Sequence, residues 1–355
     1  MKILYGVQGT GNGHLSRARA MNRHFLKKHV QIDYVFSGRS REKYFDMDAF
    51  GDYRVFSGLT FFTEKGRIRY LKTVLASHPL QFIRDVKSLD VSGYDVIIND
   101  FEPVTAWAGK LAKKTVVNIG HQQAFDFDIP VEGSNFAAKL VMKYFAPGNV
   151  RLGLHWHHFN FPILPPIIDT DENRLATIKN KVVVYLPFES PEAVRLFLMP
   201  YVDYHFYVYS PFYKADEDIG HIHQRKVALR GFKNDLSSAS RVICNAGFET
   251  PSECLQLGKR VLVKPVDGQM EQLSNAKTLE LLGLGYSMHA LDHEVLANWL
   301  ANKAKVTTVH YPDTAAAIVK WILDGDWGDR QKLADQLWSQ VQYLGDNTML
   351  KAQAQ

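Results

Sequence analysis

Short runs of apolar residues recur along this chain, and stretches with helical spacing separate them. In the first half the runs are KILYGV (2–7), QIDYVFS (31–37), DVIIND (95–100) and TVVNIG (115–120). A strand that is apolar at nearly every position is buried on both faces, the state of a strand inside a parallel sheet. The stretch from His14 to about Lys28 reads as a helix. So do RIRYLKTVLASH (67–78), through Ile68, Leu71 and Leu75, and the stretch through Trp107 and Leu111. This alternation predicts an α/β fold, with a parallel sheet covered by helices on both faces.

The rhythm breaks once. FNFPILPPI (159–167) holds three prolines in nine residues. Proline removes a backbone donor and is excluded from helix interiors and central strands, so the interdomain linker is placed here. The pattern then restarts with KVVVYLPF (181–188), YHFYVYS (204–210), KVALRGF (226–232), SRVICNAG (240–247) and KRVLVKP (259–265), all read as strands. A last amphipathic stretch, DRQKLADQLWSQVQYL (329–344), aligns Leu333, Leu337, Val341 and Leu344 on one stripe. The expected division is a first domain over 1–163, a second over 164–327, and a helical segment over 328–355 that packs back on the first domain.

Composition narrows the class. With 46% hydrophobic and 22% charged residues, the chain can bury a core and is not a disordered polymer. No apolar run is long enough to span a bilayer, and MKILYGV is too soon interrupted by glycine to be a signal peptide. Cys244 and Cys254 make no metal-ligand spacing, and so few thiols suit a reducing compartment. A cytoplasmic location is expected, with peripheral contact at the inner face of a membrane left open. Up to residue 165 there are 22 Lys+Arg against 14 Asp+Glu; beyond it there are 20 against 23. The basic half suits an anionic partner, and unpatterned surface charge is the alternative.

Two motifs carry the chemistry. The first is GTGNGH, Gly9 to His14, directly after the first strand. Gly11 and Gly13 let the backbone approach a ligand, and the following helix offers its N-terminus. It is not the dinucleotide fingerprint, because His14 stands where the third glycine would be and Ser37 and Gly38, not an acid, close the second strand. His14 is a candidate general base; capping the helix start is the alternative. Asp100, at the carboxyl end of DVIIND, is placed to orient it. Glu102, and His121 after TVVNIG, are candidates for the acceptor side. For Glu102 a role at a helix start, before Pro103, is also open.

The second motif runs from Cys244 to Gly285. A strand ends in Asn245-Ala246-Gly247 and a helix begins near Thr250, with Pro251 at its first position. The free N–H groups there suit a diphosphate. Thr250-Pro251-Ser252-Glu253 also reads as a capping box, which would tie Glu253 to the helix start. The run N-A-G-F-E-T-P-S-E, then Pro265, then Glu271-Gln272-Leu-Ser-Asn275-Ala276, then Gly283 and Gly285, resembles the donor-binding signature of inverting glycosyltransferases of the GT-B fold. That signature reads H-G-G-x-x-T-x-x-E, a proline, D-Q-x-x-N-A and a glycine pair. GTGNGHLSRA resembles the G-x-G-H loop of the same superfamily, which includes the peptidoglycan-precursor N-acetylglucosaminyltransferase and the UDP-glycosyltransferases.

The resemblance implies two Rossmann-like domains facing across a cleft. It implies that the turn through Gly247, Phe248, Glu249 and Thr250 cradles the donor's diphosphate. Glu253 would bind ribose, Glu271 and Gln272 the donor sugar, with Asn275 beside them, and His14 would deprotonate the acceptor. The sequence departs from the signature at Asn245 and Ala246, which replace its histidine and first glycine. Asn245 can donate a hydrogen bond but carries no positive charge.

Other features invite other readings. His155-Trp156-His157-His158 has the spacing of a metal pair, but nothing nearby completes a ligand set. Asp46–Asp48 and Asp126–Asp128 are D-x-D strings of a kind that arises by chance. SNFAAKLVMKYFAPG (134–148) could dock on an anionic membrane through Phe136, Leu140 and Tyr144 with Lys139 and Lys143, or could be a core helix with outward lysines. The expected activity is metal-independent transfer, with inversion, of a hexose-type sugar from a nucleoside-diphosphate sugar, a UDP-sugar, to a hydroxyl of a small molecule, lipid or cell-envelope glycan. No cofactor and no nucleic-acid partner are expected. The alternatives are a sugar-nucleotide 2-epimerase of the same fold and a non-catalytic nucleotide-sugar-binding protein.

Overall fold

Each half of the chain builds one seven-stranded sheet. The computed structural model describes residues 1–59, 63–64, 67–68, 79–134, 136–169, 175–325 and 327–345. The first sheet is made of β1 (Lys2–Gln8), β2 (Gln31–Ser37), β3 (Tyr53–Phe56), β4 (Val96–Asp100), β5 (Val116–Gly120), β6 (Val150–Leu154) and β7 (Ile163–Leu164). Their order is β3-β2-β1-β4-β5-β6-β7, all parallel. The chain winds outward from β1 and returns beside it at β4, so the winding reverses between these two strands. Val7 pairs with Asp100 there. The glycine loop and Asp100 therefore leave the sheet side by side, over the crevice where such sheets bind ligands.

The second sheet repeats this plan with β8 (Ile178–Tyr185), β9 (His205–Ser210), β10 (Glu217–Ile219), β11 (Ile222–Lys226), β12 (Ala239–Asn245), β13 (Arg260–Lys264) and β14 (Tyr286–Ser287). The order is β10-β11-β9-β8-β12-β13-β14, with only β10 antiparallel to its neighbour. Here the reversal lies between β8 and β12, and Tyr185 pairs with Cys244. The Asn245–Gly247 turn thus leaves at the second crevice.

The helices that matter below are α1 (Asn12–Leu26), α2 (Pro103–Leu111), α3 (Phe136–Tyr144), α4 (Leu229–Ser238), α5 (Glu249–Gln256), α6 (Met270–Leu281), α7 (Thr314–Asp324) and α8 (Arg330–Trp338). Helix α7 packs on α1, and α8 packs on β7. Trp338 Nε1 donates to the Ile163 carbonyl at 2.7 Å, and Arg330 Nη1 to that of Arg151 at 3.1 Å. The tail therefore returns to the first domain, as expected. Its buried Ile318, Ile322, Leu333 and Leu337 join one continuous core with Leu15, Met21, Phe25, Trp156 and Leu164.

Four sequence expectations change. KVALRGF is not a strand: the strand is β11, and α4 starts at Leu229. The last amphipathic stretch is a helix only to Trp338; Gln342–Leu344 then pairs antiparallel with Thr308–His310. The boundary placed after residue 163 falls inside β7, which the proline-flanked segment contributes to the sheet edge. An edge strand tolerates flanking prolines because one side of its ladder is free. Of the helix expected over 67–78, Arg67–Ile68 is extended and pairs with Thr63–Glu64, and the rest lies outside the described residues. In α3, Leu140 and Tyr144 are exposed, while Val141 and Met142 pack against Phe101 and Phe145; the side chains of Phe136 and Lys139 lie outside the described residues. Among the described residues, no helix is long and apolar enough to cross a membrane.

Candidate active site

The glycine loop is tight because of what presses on it. None of Gly9, Gly11 and Gly13 has a left-handed backbone. A Cβ on Gly9 would stand 2.1 Å from Tyr44 Oη, and one on Gly13 would stand 2.6 Å from Glu249 Cγ. Close approach is what excludes side chains here, and at Gly13 the approaching group comes from the facing domain. Gly11 is the N-cap residue of α1 and offers no side-chain acceptor.

His14 lies in the first turn of α1, and its Nδ1 donates to Asp100 Oδ1 at 2.7 Å. An ionised carboxylate only accepts, so with the Nδ1 proton turned toward Asp100 the lone pair is on Nε2, although Arg17 Nη2 also lies 2.9 Å from Nδ1. Among the described residues no protein group bonds Nε2, and the side chain keeps 13% of its surface. This is the geometry of a base held by a third group. Arg17, one helical turn further on, donates from Nε to Asp100 Oδ2 and from Nη2 to Asp100 Oδ1, both at 2.7 Å. Its Nη1 reaches across the cleft to Glu249 Oε1. Burial pushes the Asp100 carboxyl up, but Arg17 and His14 outweigh it and hold it below the usual aspartate range. Asp100 is therefore a charged and fully buried acceptor.

Across the cleft, α5 begins at Glu249, with Phe248 as an N-cap that makes no side-chain bond. The first N–H groups of the helix are left to other partners. A Cβ on Gly247 would meet nothing within 4 Å, so the turn has open space beside it. Asn245 is committed elsewhere: its Nδ2 donates to the Lys264 carbonyl at 2.8 Å. Asn275 Nδ2 holds the turn through the Ala246 carbonyl at 2.9 Å, and Gln272 Oε1 accepts from the Val266 N–H at 3.0 Å. These two are buried scaffolding of the turn and of the loop before α6. Glu271 Oε2 accepts from Gln122 of the first domain at 3.1 Å. Thr250 is the second residue of α5 and half-buried.

Glu253 does not close a capping box. Because the helix starts at Glu249, Glu253 is its fifth residue and faces away from the start. Its Oε1 accepts from Lys233 Nζ at 2.5 Å and from Ser16 Oγ at 3.4 Å. Burial pushes its carboxyl up, against the pull of Lys233. Glu253 and Lys233 line a cavity of about 390 Å³ with Asp46, Asp169, Leu229 and Arg230. This cavity adjoins α5 and is the largest change to the expected site, because Lys233, Ser16 and Asp169 were not anticipated.

Two expected acceptor-side residues are engaged structurally. Glu102 is the N-cap of α2: it accepts from Val104 N at 2.8 Å and from Thr105 N, Thr105 Oγ1 and Ser37 Oγ, each at 2.6 Å. Both oxygens are spent, so the helix-start alternative describes it. His121 is fully buried; its Nδ1 lies 2.9 Å from the Leu154 carbonyl and its Nε2 2.6 Å from Asn275 Oδ1. It joins the domains instead of facing an acceptor. The neighbouring histidines turn onto the backbone, His155 Nδ1 accepting from Trp156 N and His157 Nδ1 from Phe159 N. Among the described residues no group of three or more His, Cys, Asp or Glu is arranged to hold a metal ion.

Arg17, like Lys233, Ser16 and Asp169, is a site residue that sequence reasoning missed. Its spacing of three from His14 puts both on one helix face, and that was the available signal.

Comparison with known proteins agrees with this geometry. The sequence profile of glycosyl transferase family 1 matches residues 1–303. No curated protein matches the chain by sequence. Among solved structures, the calicheamicin glycosyltransferase CalG4 superposes with a TM-score of 0.53 at 13% identity, covering 96% of this chain and 98% of that one. The spinosyn rhamnosyltransferase SpnG gives 0.57 at 15% identity, over 95% and 96%. The Streptomyces sp. SF2575 glycosyltransferase SsfS6 gives 0.52 at 12%, over 96% of each chain. At such identities the likeness speaks for the fold, and the profile for the family. Two parallel-sheet domains, facing crevices and a profile over most of the chain together make this protein a glycosyltransferase of family 1 with the GT-B fold.

Proposed function

We propose that the protein transfers a hexose-type sugar from a nucleoside-diphosphate sugar, a UDP-sugar in the first instance, to a hydroxyl of a small molecule, lipid or glycan, with inversion. The observation that carries this reading is the His14–Asp100 hydrogen bond at the mouth of the glycine loop. The acceptor oxygen attacks the anomeric carbon and its proton passes to His14 Nε2. The bond from that carbon to the diphosphate oxygen breaks, and the nucleoside diphosphate departs. The N-terminus of α5 faces the developing negative charge, and no metal is required for this step. Glu253 and the adjoining cavity are assigned to the nucleoside. The neighbour SpnG has been solved with thymidine diphosphate and with the spinosyn aglycone, which supports a nucleoside-diphosphate donor and an aglycone-type acceptor.

A thermal-shift series with UDP, TDP, GDP and NAD tests the donor, because a ligand at a hundred times its Kd stabilises by about 2.7 kcal/mol. UDP or TDP should raise the melting temperature and NAD should not. A shift with NAD and none with any nucleoside diphosphate would overturn the reading. Release of nucleoside diphosphate from the matching sugar donor then reports turnover.

A further inference from the structure

The turn that faces the donor carries no positive charge. Asn245 stands where the resembling signature has histidine, and its amide is tied to Lys264. Lys233 is held by Glu253 and Asp169 at 2.5 and 3.9 Å. A diphosphate that leaves without a metal needs a cation or dipole aimed at it, and an eight-residue helix supplies only part of that.

Arg17 has the geometry to supply the rest. Two of its three nitrogens are locked onto Asp100, which aims the third. That third nitrogen, Nη1, crosses the cleft and meets the first residue of α5, the helix whose N-terminus faces the donor. We propose that Arg17 binds the donor's diphosphate through Nη1 and stabilises it as it leaves, and that the Glu249 carboxylate is its stand-in while no nucleotide is bound. The inference rests on the donor-site reading above.

Three observations support it. Among the described residues, Arg17 is the one first-domain group bonded to Glu249, so a stronger anion can displace it without disturbing the His14–Asp100 pair. The Glu249 side chain lies close enough to Gly13, through its Cγ, to exclude a Cβ, so it occupies the gap between the two loops that a donor would enter. Burial, with the like charges of Asp100 and Glu253, pushes its carboxyl up against the pull of Arg17, so its ion pair with Arg17 is costlier to keep than an exposed one and is readily exchanged. An arginine fork also suits phosphate oxygens as well as it suits a carboxylate.

Isothermal titration of the full chain with UDP, TDP and GDP, each beside its free nucleoside, tests the exchange. Glu249→Gln removes the stand-in's charge and should tighten binding of the diphosphate about tenfold, the effect of one charge-assisted hydrogen bond no longer competed for, with nucleoside binding unchanged. Arg17→Lys keeps the charge but cannot grip Asp100 and reach the donor together; it should weaken the diphosphate about tenfold or more and spare the nucleoside. If Glu249→Gln leaves diphosphate affinity unchanged or lowers it, Glu249 is no stand-in and the proposal fails. Equal losses for diphosphate and nucleoside in Arg17→Lys would likewise overturn it, since they mark a scaffold defect. If the wild type binds none of the nucleotides, the donor-site reading falls too; binding with unresponsive variants sinks this proposal alone.

Discussion

His121 lies flat against Phe248, with ring centroids 4.2 Å apart and 1° between the planes. One ring follows β5 of the first sheet and the other follows β12 of the second. The stack and the approach of His121 Nε2 to Asn275 Oδ1 at 2.6 Å tie the two domains together. His121→Leu should lose the stack and the hydrogen bond that the ring's one N–H gives to the Leu154 carbonyl or to Asn275 Oδ1. A loss of about 1–3 kcal/mol is expected. Chemical denaturation checks it, and unchanged stability would mean that the contact is incidental.

Burial also pushes the imidazoles of His121 and His155 below the ordinary histidine range. Folded, they bind fewer protons than unfolded. The stability they give is therefore complete above the unfolded value of about 6.5 and is lost as pH falls below it, toward the folded values. Melting temperature should drop between about pH 6.5 and 5, and His155→Gln, which does not titrate, should flatten that slope. An equal slope in this variant would assign the acid loss to other groups.

His14→Asn keeps a hydrogen bond to Asp100 but no basic nitrogen. Turnover should fall about 10²–10⁴-fold, with nucleotide binding and melting temperature nearly unchanged. Asp100→Asn should behave differently. It withdraws the counter-charge of the buried Arg17, and breaking such a pair costs about 3–5 kcal/mol, so activity and stability should fall together. If His14→Asn keeps most of its turnover, the base lies elsewhere.

Glu253→Gln separates two roles by compensation. The change takes from Lys233 its nearer carboxylate, the Asp169 carboxylate lying 3.9 Å away, so the melting temperature should fall. Adding Lys233→Met removes the uncompensated charge and should restore much of it. If Glu253 also binds the donor's ribose, the double variant should regain stability but not nucleotide affinity. Recovery of both would leave Glu253 as a partner for Lys233 alone.

Glu102→Ala should cost about 1–3 kcal/mol by stripping four donors of their acceptor at the start of α2. Nucleotide affinity should hardly change. A selective loss of turnover in a stable variant would return Glu102 to the acceptor site.

What could be read in the sequence was what depends on neighbours in the chain. Apolar runs located the strands, and the rule that ligands gather at carboxyl ends put His14 beside Asp100 before their register was known. Contacts chosen across the cleft were not legible. Nothing local to Arg17 names Glu249 as its partner, and nothing local to His121 says that Asn275 will cover it. The capping-box expectation for Glu253 failed on phase: the helix begins one residue before Thr250, and that turns Glu253 toward α4. KVALRGF misled because Val227 and Leu229 alternate as in a strand while Leu229 and Phe232 have helical spacing, and so short a run does not decide between them.

The return of α7 and α8 to the first domain bears on how the protein is made. The core that joins Leu15, Phe25 and Leu164 is completed by Ile318, Ile322 and Leu337. At ordinary rates of synthesis the first domain waits for these residues for roughly ten to thirty seconds after its own last strand emerges. During that interval one face of α1 has nothing to cover it. The nascent chain therefore passes through a state with an open apolar groove, and a chaperone that binds such grooves has its window on the ribosome, before residue 314 appears.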